Sequence, residues 1–177
     1  DPTDVVALDQ IRALVPDSIR VEPMLARESD IIAGIEQYYG FELSIDGILH
    51  EIETGEIDYA SIQANFDEYS QPVVRLCDAI LNDAAKQGAS DIHFEPEHGF
   101  LRVRYRLDGV LRQIRSLHKN YWPAMVVRLK VMSNMNIAET RAPQDGRFSL
   151  TLAGHPVDFR VSSLPTTHGE NIVLRIL

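Results

Sequence analysis

An α+β fold with an antiparallel sheet is predicted for most of this 177-residue sequence, and three features predict it. Amphipathic helical stretches alternate with groups of strands rather than with single ones, which separates the pattern from a βαβ repeat. The strand stretches alternate apolar and polar residues at period two, as half-buried strands do. Short Asp-Gly connections join them, and these suit antiparallel neighbours. A smaller α, β, α segment comes first. The predicted architecture is therefore a partial small α/β N-terminal domain followed by a domain with an antiparallel sheet and flanking helices.

In the first segment, "TDVVALDQIRAL" predicts a helix with Thr3 as N-cap and Val5, Leu8, Ile11 and Val15 along one face. "SIRVEPML" reads as a short strand. "ESDIIAGIEQYYG" returns to helical spacing at Ile31, Ile35 and Tyr38 or Tyr39, with Gly40 placed to end the helix. Forty residues are few for an independent core, so residues 1–40 read as the back part of a domain. Residues 41–70, "FELSIDGILHEIETGEIDYASIQANFDEYS", read as an acidic linker with a short helix, whose charge serves solvation.

The second segment, residues 71–177, is more strongly patterned. "QPVVRLCDAILNDAAKQG" opens with Pro72 in a first turn, spaces Val73, Leu76, Cys77, Ile80 and Ala84 as a helix does, and closes at Gly88. "DIHFEP" is a short strand. "FLRVRYRLDGVLRQIRSL" sets Leu101, Val103, Tyr105 and Leu107 on one face and Arg102, Arg104 and Arg106 on the other, with Asp108-Gly109 as the hairpin. A second helix is expected over Tyr121–Met135, with Trp122, Met125, Val126, Leu129 and Met132 inward. In "PQDGRF", Gln144, Asp145 and Gly146 read as a turn, because Asp-Gly supplies positive φ. That turn delivers Arg147 to a strand ending near Leu152. A partner strand follows over Val157–Ser163 around "AGHP", then a polar loop "PTTHGE" and a last strand.

Charge divides along the same line. Residues 1–70 carry 16 acidic against 3 basic side chains, and residues 71–177 carry 10 against 14, for a net −9. Such asymmetry points to two modules with different partners and argues against a plain nucleic-acid binder. No apolar run approaches the roughly 18 to 20 residues of a membrane span. One cysteine excludes an intrachain disulfide, and no basic-then-apolar leader is visible, so a cytoplasmic setting is expected. The chain lacks an initial methionine and stops on "NIVLRIL", so it is expected to be a piece of a longer protein.

Several chemistries are weighed against structural roles. Asp91, His93 and Glu95 lie on one strand face with His98 nearby, a set that superficially suits a metal, but a polar half-exposed strand explains it as well and no metal is expected. The His-x-Glu of zinc deaminases lacks its Pro-Cys-x-x-Cys partner here. No Gly-x-Ser-x-Gly elbow occurs, and Cys77 on an apolar helix face reads as an inert thiol. No Gly-x-x-x-x-Gly-Lys-[Ser/Thr] occurs, so this stretch by itself is not expected to hydrolyse a nucleotide. Arg102, Arg104 and Arg106 read as a solvated face or an interface. Arg147 and Arg160 flank one hairpin, where they suit a bidentate grip on phosphate or structural ion pairs with Asp145, Asp158 or Glu170; spacing leaves both open.

The blocks "ASDIHFEP", "RVRYRLDGVL", "RLKVMSNMNIAETRAPQDGR" and "VDFRVSSLPTTHGENIVLRIL" resemble, in order and spacing, the domain preceding the nucleotide-binding core of type II secretion and type IV pilus assembly ATPases. The resemblance runs from Gln71 to Leu177, and "DPTDVVALDQIRAL" with "IIAGIEQYYG" is similar to the end of that family's N-terminal docking domain. It implies a PAS-like second domain tethered to a RecA-like ATPase core beyond Leu177. It also implies a cytoplasmic hexamer, peripheral to the inner membrane through platform proteins, whose core binds ATP and Mg while no cofactor is held by this stretch. Positions matching Arg147 and Arg160 would approach the γ-phosphate, with no catalytic residue in the stretch itself. A stand-alone PAS-like sensor or adaptor is the alternative.

Overall fold

The computed structural model of the protein describes residues 5–16, 19–27, 30–31, 34, 44–54, 72–152 and 155–177. The chain divides into two compact units, Asp1–Gly40 and Phe41–Leu177. In the first, the predicted helix forms as α1, Val5–Leu14, with no buried side chain; its expected cap Thr3 lies outside the described residues. "SIRVEPML" is a correction: residues 19–25 carry no strand. A strand exists only as one half of a backbone ladder, and no described segment pairs with this one. Most of the second predicted helix lies outside the described residues. The basic side chains here make exposed local pairs, Arg12 with Asp9, Arg20 with Glu22 and Arg27 with Asp30, a type that contributes little stability.

The second unit begins with α2, Ile45–Thr54, in the segment expected as a linker with a short helix. Ser44 caps it by accepting from the backbone N–H of Gly47 at 3.0 Å, and Ile45 and Ile48 bury against the core. Helix α3, Pro72–Lys86, buries Val74, Leu76, Cys77, Ile80, Leu81 and Ala84. It ends as the sequence predicts. Gly88 takes φ 69°, its N–H meets the Ala85 carbonyl, and the Ala89 N–H reaches back to Ala84, a Schellman closure only a residue tolerant of positive φ completes without strain.

Three strands follow: β1, Asp91–Pro96; β2, Phe100–Leu107; and β3, Val110–His118. Asp108 and Gly109, both at positive φ, make the two-residue turn between β2 and β3. A register shift after Val103 puts Arg115 on the helix-covered side, where it pairs with Asp46 of α2 at 2.8 Å. After a short 3-10 turn comes α4, Trp122–Met132. It stops three residues before the expected end because Asn134 adopts φ 56°, and the Met135 N–H closes back to Lys130 in a second Schellman pattern.

The last strands are β4, Gln144–Leu152; β5, His155–Thr166; and β6, Gly169–Ile176. Two expectations are corrected here. Asp145 and Gly146 are not a turn; they belong to β4, opposite Ser162 and Val161. Gly146 is required by proximity rather than by positive φ, since a Cβ on it would lie 2.3 Å from the Ser133 carbonyl oxygen. "PTTHGE" is a tight hairpin rather than a loop, with Thr166 already paired to Gly169.

All six strands form one antiparallel sheet in the order β3-β2-β1-β6-β5-β4. The two meanders join through β1 and β6, so the first strand and the last lie at the centre. Register puts Ile92, Phe94, Val103, Tyr105, Val161, Ile172 and Leu174 on one face, in a single cluster with Leu76, Ile80, Trp122, Met125 and Leu129 of the helices. Fully burying each such side chain contributes about 1.5–3 kcal/mol. Phe94 stacks on Trp122 at 5.8 Å, and the buried Tyr105 hydroxyl donates to the Ile80 carbonyl or Asp83. The helices of this unit that pack on the sheet share that buried face, and the opposite face is charged.

Candidate functional site

Pairing register orders that charged face. Directly opposed residues on antiparallel strands share a face, with Cα atoms about 4.5–5.5 Å apart. Arg147 of β4 stands opposite Arg160 of β5, Arg160 opposite Arg175 of β6, Arg175 opposite Asp91 of β1, and Asp91 opposite Arg106 of β2. One row across five strands thus holds four arginines and one carboxylate. Like charges directly opposite each other destabilise a sheet.

The ion pairs considered for Arg147 and Arg160 do not form. Asp145 accepts from the Ser162 hydroxyl, and Asp158 accepts from Ser149. Glu170 is buried with Lys130 at 2.5 Å and accepts from Ser163 at 2.9 Å. Both arginines are exposed, and among the described residues neither has a hydrogen-bond or salt-bridge partner.

Arg175, which sequence reasoning did not single out, extends the pair. Its Nε donates to Asp91 Oδ1 at 3.0 Å, and its side chain is 68% exposed. The one signal available in the sequence was its place in the alternation of "ENIVLRIL", where the buried Ile172 and Leu174 leave Arg175 on the other face.

On β2 the arginines of this face are neutralised. Arg104 pairs with Glu95, Arg102 with Glu97 at 3.1 Å, and Arg106 donates through Nε to Asp91 at 3.0 Å. Asp91 and Glu95 are therefore ion-pair partners for β2, and His93 Nδ1 lies 3.6 Å from Glu95 on its own strand. Among the described residues no group of three or more His, Cys, Asp or Glu is arranged to hold a metal. Burial, the largest influence on His93, holds its pKa below the ordinary imidazole value, with Arg104 and Arg106 acting the same way against Glu95 and Asp91. Cys77 is fully buried, and burial pushes its thiol far above the reactive range.

The segment leading into β4 is pinned from below. Lys130 is 1% exposed and donates to the Glu139 carbonyl at 2.6 Å. Gln144 donates to the same carbonyl and to that of Asn136, both at 3.0 Å. Glu139 accepts the backbone N–H of Arg141 and Ala142, which hold its carboxyl below the usual range. With Gly146 pressed on Ser133, this network sets where Arg147 leaves the sheet.

The fold and the face define a module whose helices cover one side of an antiparallel sheet and whose other side presents unneutralised arginines at one end. Its sequence places it more narrowly. The Type II/IV secretion system protein model matches residues 67–177, and the MshEN domain model matches residues 1–45; the chain belongs to the type II/IV secretion system protein family. It is 40% identical over 181 residues to the type II secretion system protein E of Xanthomonas campestris pv. campestris, covering 100% of this chain and 31% of that protein. It is 37% identical over 185 residues to the type IV pilus assembly ATPase PilB of Myxococcus xanthus, covering 100% and 32%. The type II secretion system protein HxcR of Pseudomonas aeruginosa is 50% identical over 106 residues, 60% of this chain and 23% of that protein. The chain thus spans about a third of the length of the relatives it matches from end to end. No helix among the described residues is long and apolar enough to cross a membrane.

Proposed function

We propose that this chain is the non-catalytic front part of an ATPase that powers type II protein secretion or type IV pilus assembly. In this reading Arg147 and Arg160, with Arg175 beside them, reach the γ-phosphate of ATP bound on a core outside these residues. The observation that carries it is the directly opposed, unpaired Arg147 and Arg160. A guanidinium presents a planar fork of donors matched to phosphate oxygens. Three such forks spanning about 10 Å of sheet gain most when a shared anion offsets their mutual repulsion.

The residues present fit phosphate oxygens and little else of a nucleotide. Within the sequence no glycine-rich lysine loop is available to cradle the α- and β-phosphates, so ATP and its Mg ion are assigned to the core. Bound there, ATP would supply the charge that draws the arginine row inward. The arginines would orient and stabilise the terminal phosphoryl group, and would release once that charge departs, converting phosphate loss into rigid-body movement of the sheet. Residues 1–40 are proposed as a docking element for inner-membrane platform proteins, residues 41–70 as a connecting segment, and the assembled parent as a cytoplasmic hexamer.

ATP turnover by the full-length parent protein tests the reading. Arg147→Ala and Arg160→Ala are each expected to lower kcat on the order of 10³-fold while assembly is retained and the melting temperature does not fall below the parent's. Turnover near the parent's in an assembled Arg147→Ala, Arg160→Ala double variant would sink it.

A further inference from the structure

We infer that Asp91 is a positioning residue for the arginine row: it holds Arg175 beside Arg160 by the Nε edge and leaves the end of the fork open for an anion. This rests on the function proposed above and adds a residue to it that touches no phosphate itself.

The geometry carries the inference. Asp91 is 5% exposed and lies on the central strand, opposite Arg106 on one side and Arg175 on the other. Its Oδ1 accepts from Arg175 Nε at 3.0 Å, and its Oδ2 accepts from Arg106 Nε at 3.0 Å and from the Ser90 hydroxyl at 2.8 Å. Burial alone would raise this carboxyl's pKa, but the Ser90, Arg175 and Arg106 hydrogen bonds outweigh it and keep the group ionised.

The two arginines are treated differently. Arg106 is tied at both ends, because its Nη1 also donates to the Gly109 carbonyl at 3.1 Å. Arg175 is tied at Nε only; among the described residues its terminal nitrogens have no partner. A guanidinium gripped by its side edge keeps the two terminal N–H groups parallel and directed away from the anchor. Without the anchor a largely exposed arginine samples many rotamers, and each binding event must order it again. Asp91 removes that disorder in advance, at the position that Arg160 neighbours directly.

The experiment is a pair of double-mutant cycles on kcat and KM for ATP in the assembled full-length protein, with melting temperature recorded for every variant. Asp91→Asn keeps the size and removes the charge that orients Arg175, and it is expected to lower kcat by roughly 10- to 100-fold. In an Arg175→Ala background the same change is expected to lower kcat no further, while in an Arg106→Ala background it keeps its full effect. Both backgrounds should show a similar loss of melting temperature from Asp91→Asn. Effects on kcat that multiply in the Arg175→Ala background would overturn the inference, and so would coupling to Arg106 alone. If Asp91→Asn fails to assemble, Arg175→Lys is used, since it keeps the charge and lacks the Nε donor; turnover equal to the parent's would overturn the inference. Loss of turnover in Arg147→Ala and Arg160→Ala with independent Asp91 and Arg175 effects removes the positioning role and leaves the proposed function standing. Full turnover in all these arginine variants removes both.

Discussion

Gly146 of β4 rests against the backbone of Ser133 at the end of α4, so that a methyl group at Gly146 would lie 2.3 Å from the Ser133 carbonyl oxygen and 2.8 Å from its Cβ. The contact joins the strand that carries Arg147 to the helix that supports it. Backbone cannot yield as a flexible side-chain end can, so adding even one methyl group must displace β4 or α4.

Gly146→Ala is therefore expected to destabilise the second unit by about 1–3 kcal/mol, read from chemical denaturation. A loss of turnover larger than that from a remote destabilising substitution is expected in the full-length protein, because the shift moves Arg147. Unchanged stability would refute the close approach.

Arg147→Ala or Arg160→Ala is expected to raise the stability of the folded chain slightly, by about 0.2–1 kcal/mol at low salt, because each relieves a directly opposed like charge. The gain should shrink as ionic strength rises. A clear loss of stability on either substitution would show that these arginines hold structural pairs.

Lys130 and Glu170 form a buried pair, 1% and 8% exposed. Lys130→Met is expected to cost about 3–5 kcal/mol, because it strands the Glu170 carboxylate, and adding Glu170→Gln should recover part of that loss. Equal losses in the single and double variants would show that lysine packing, and not its charge, matters at this position.

His93 makes stability depend on pH in a definite direction. Its folded pKa lies below the ordinary value, mainly through burial, so the unfolded chain binds more protons once pH falls through about 6.5. Stability is expected to be fully present above that pH and to decline below it, and His93→Gln should flatten the decline. Asp91 is also lowered, and its contribution should persist down to about pH 4 before being lost. A denaturation series from pH 7 to 5 that is identical with and without His93 would contradict this assignment.

Helix α3, the β2-β3 hairpin and the division of the leucines and arginines along β2 were legible because each rests on neighbours close in sequence: a period of 3.6 or 2, a proline at the start, a glycine at φ 69° at the end. The candidate residues Arg147 and Arg160 were legible as flanking one hairpin, though not as an opposed pair, because register depends on where the turn falls. The Asp-Gly of "PQDGRF" misled for a related reason. A small residue permits both positive φ and a close approach, and the dipeptide alone cannot say which is in use.

By itself the sequence determined the helices and most strands of residues 72–177, their amphipathic faces, the charge division between the two segments and the family resemblance, all of which are written in local pattern and order. Only the tertiary structure decided that β1 and β6 pair at the centre of one sheet. That pairing brings Asp91 to Arg175 across 84 residues of chain and supplies the third arginine of the row, while contacts between β4 and β5 and with the buried Lys130 engage Asp145, Asp158 and Glu170 elsewhere. Such long-range contacts are set by burial of one whole sheet face under the helices, which fixes register for every strand at once, and no single stretch of the sequence contains that constraint.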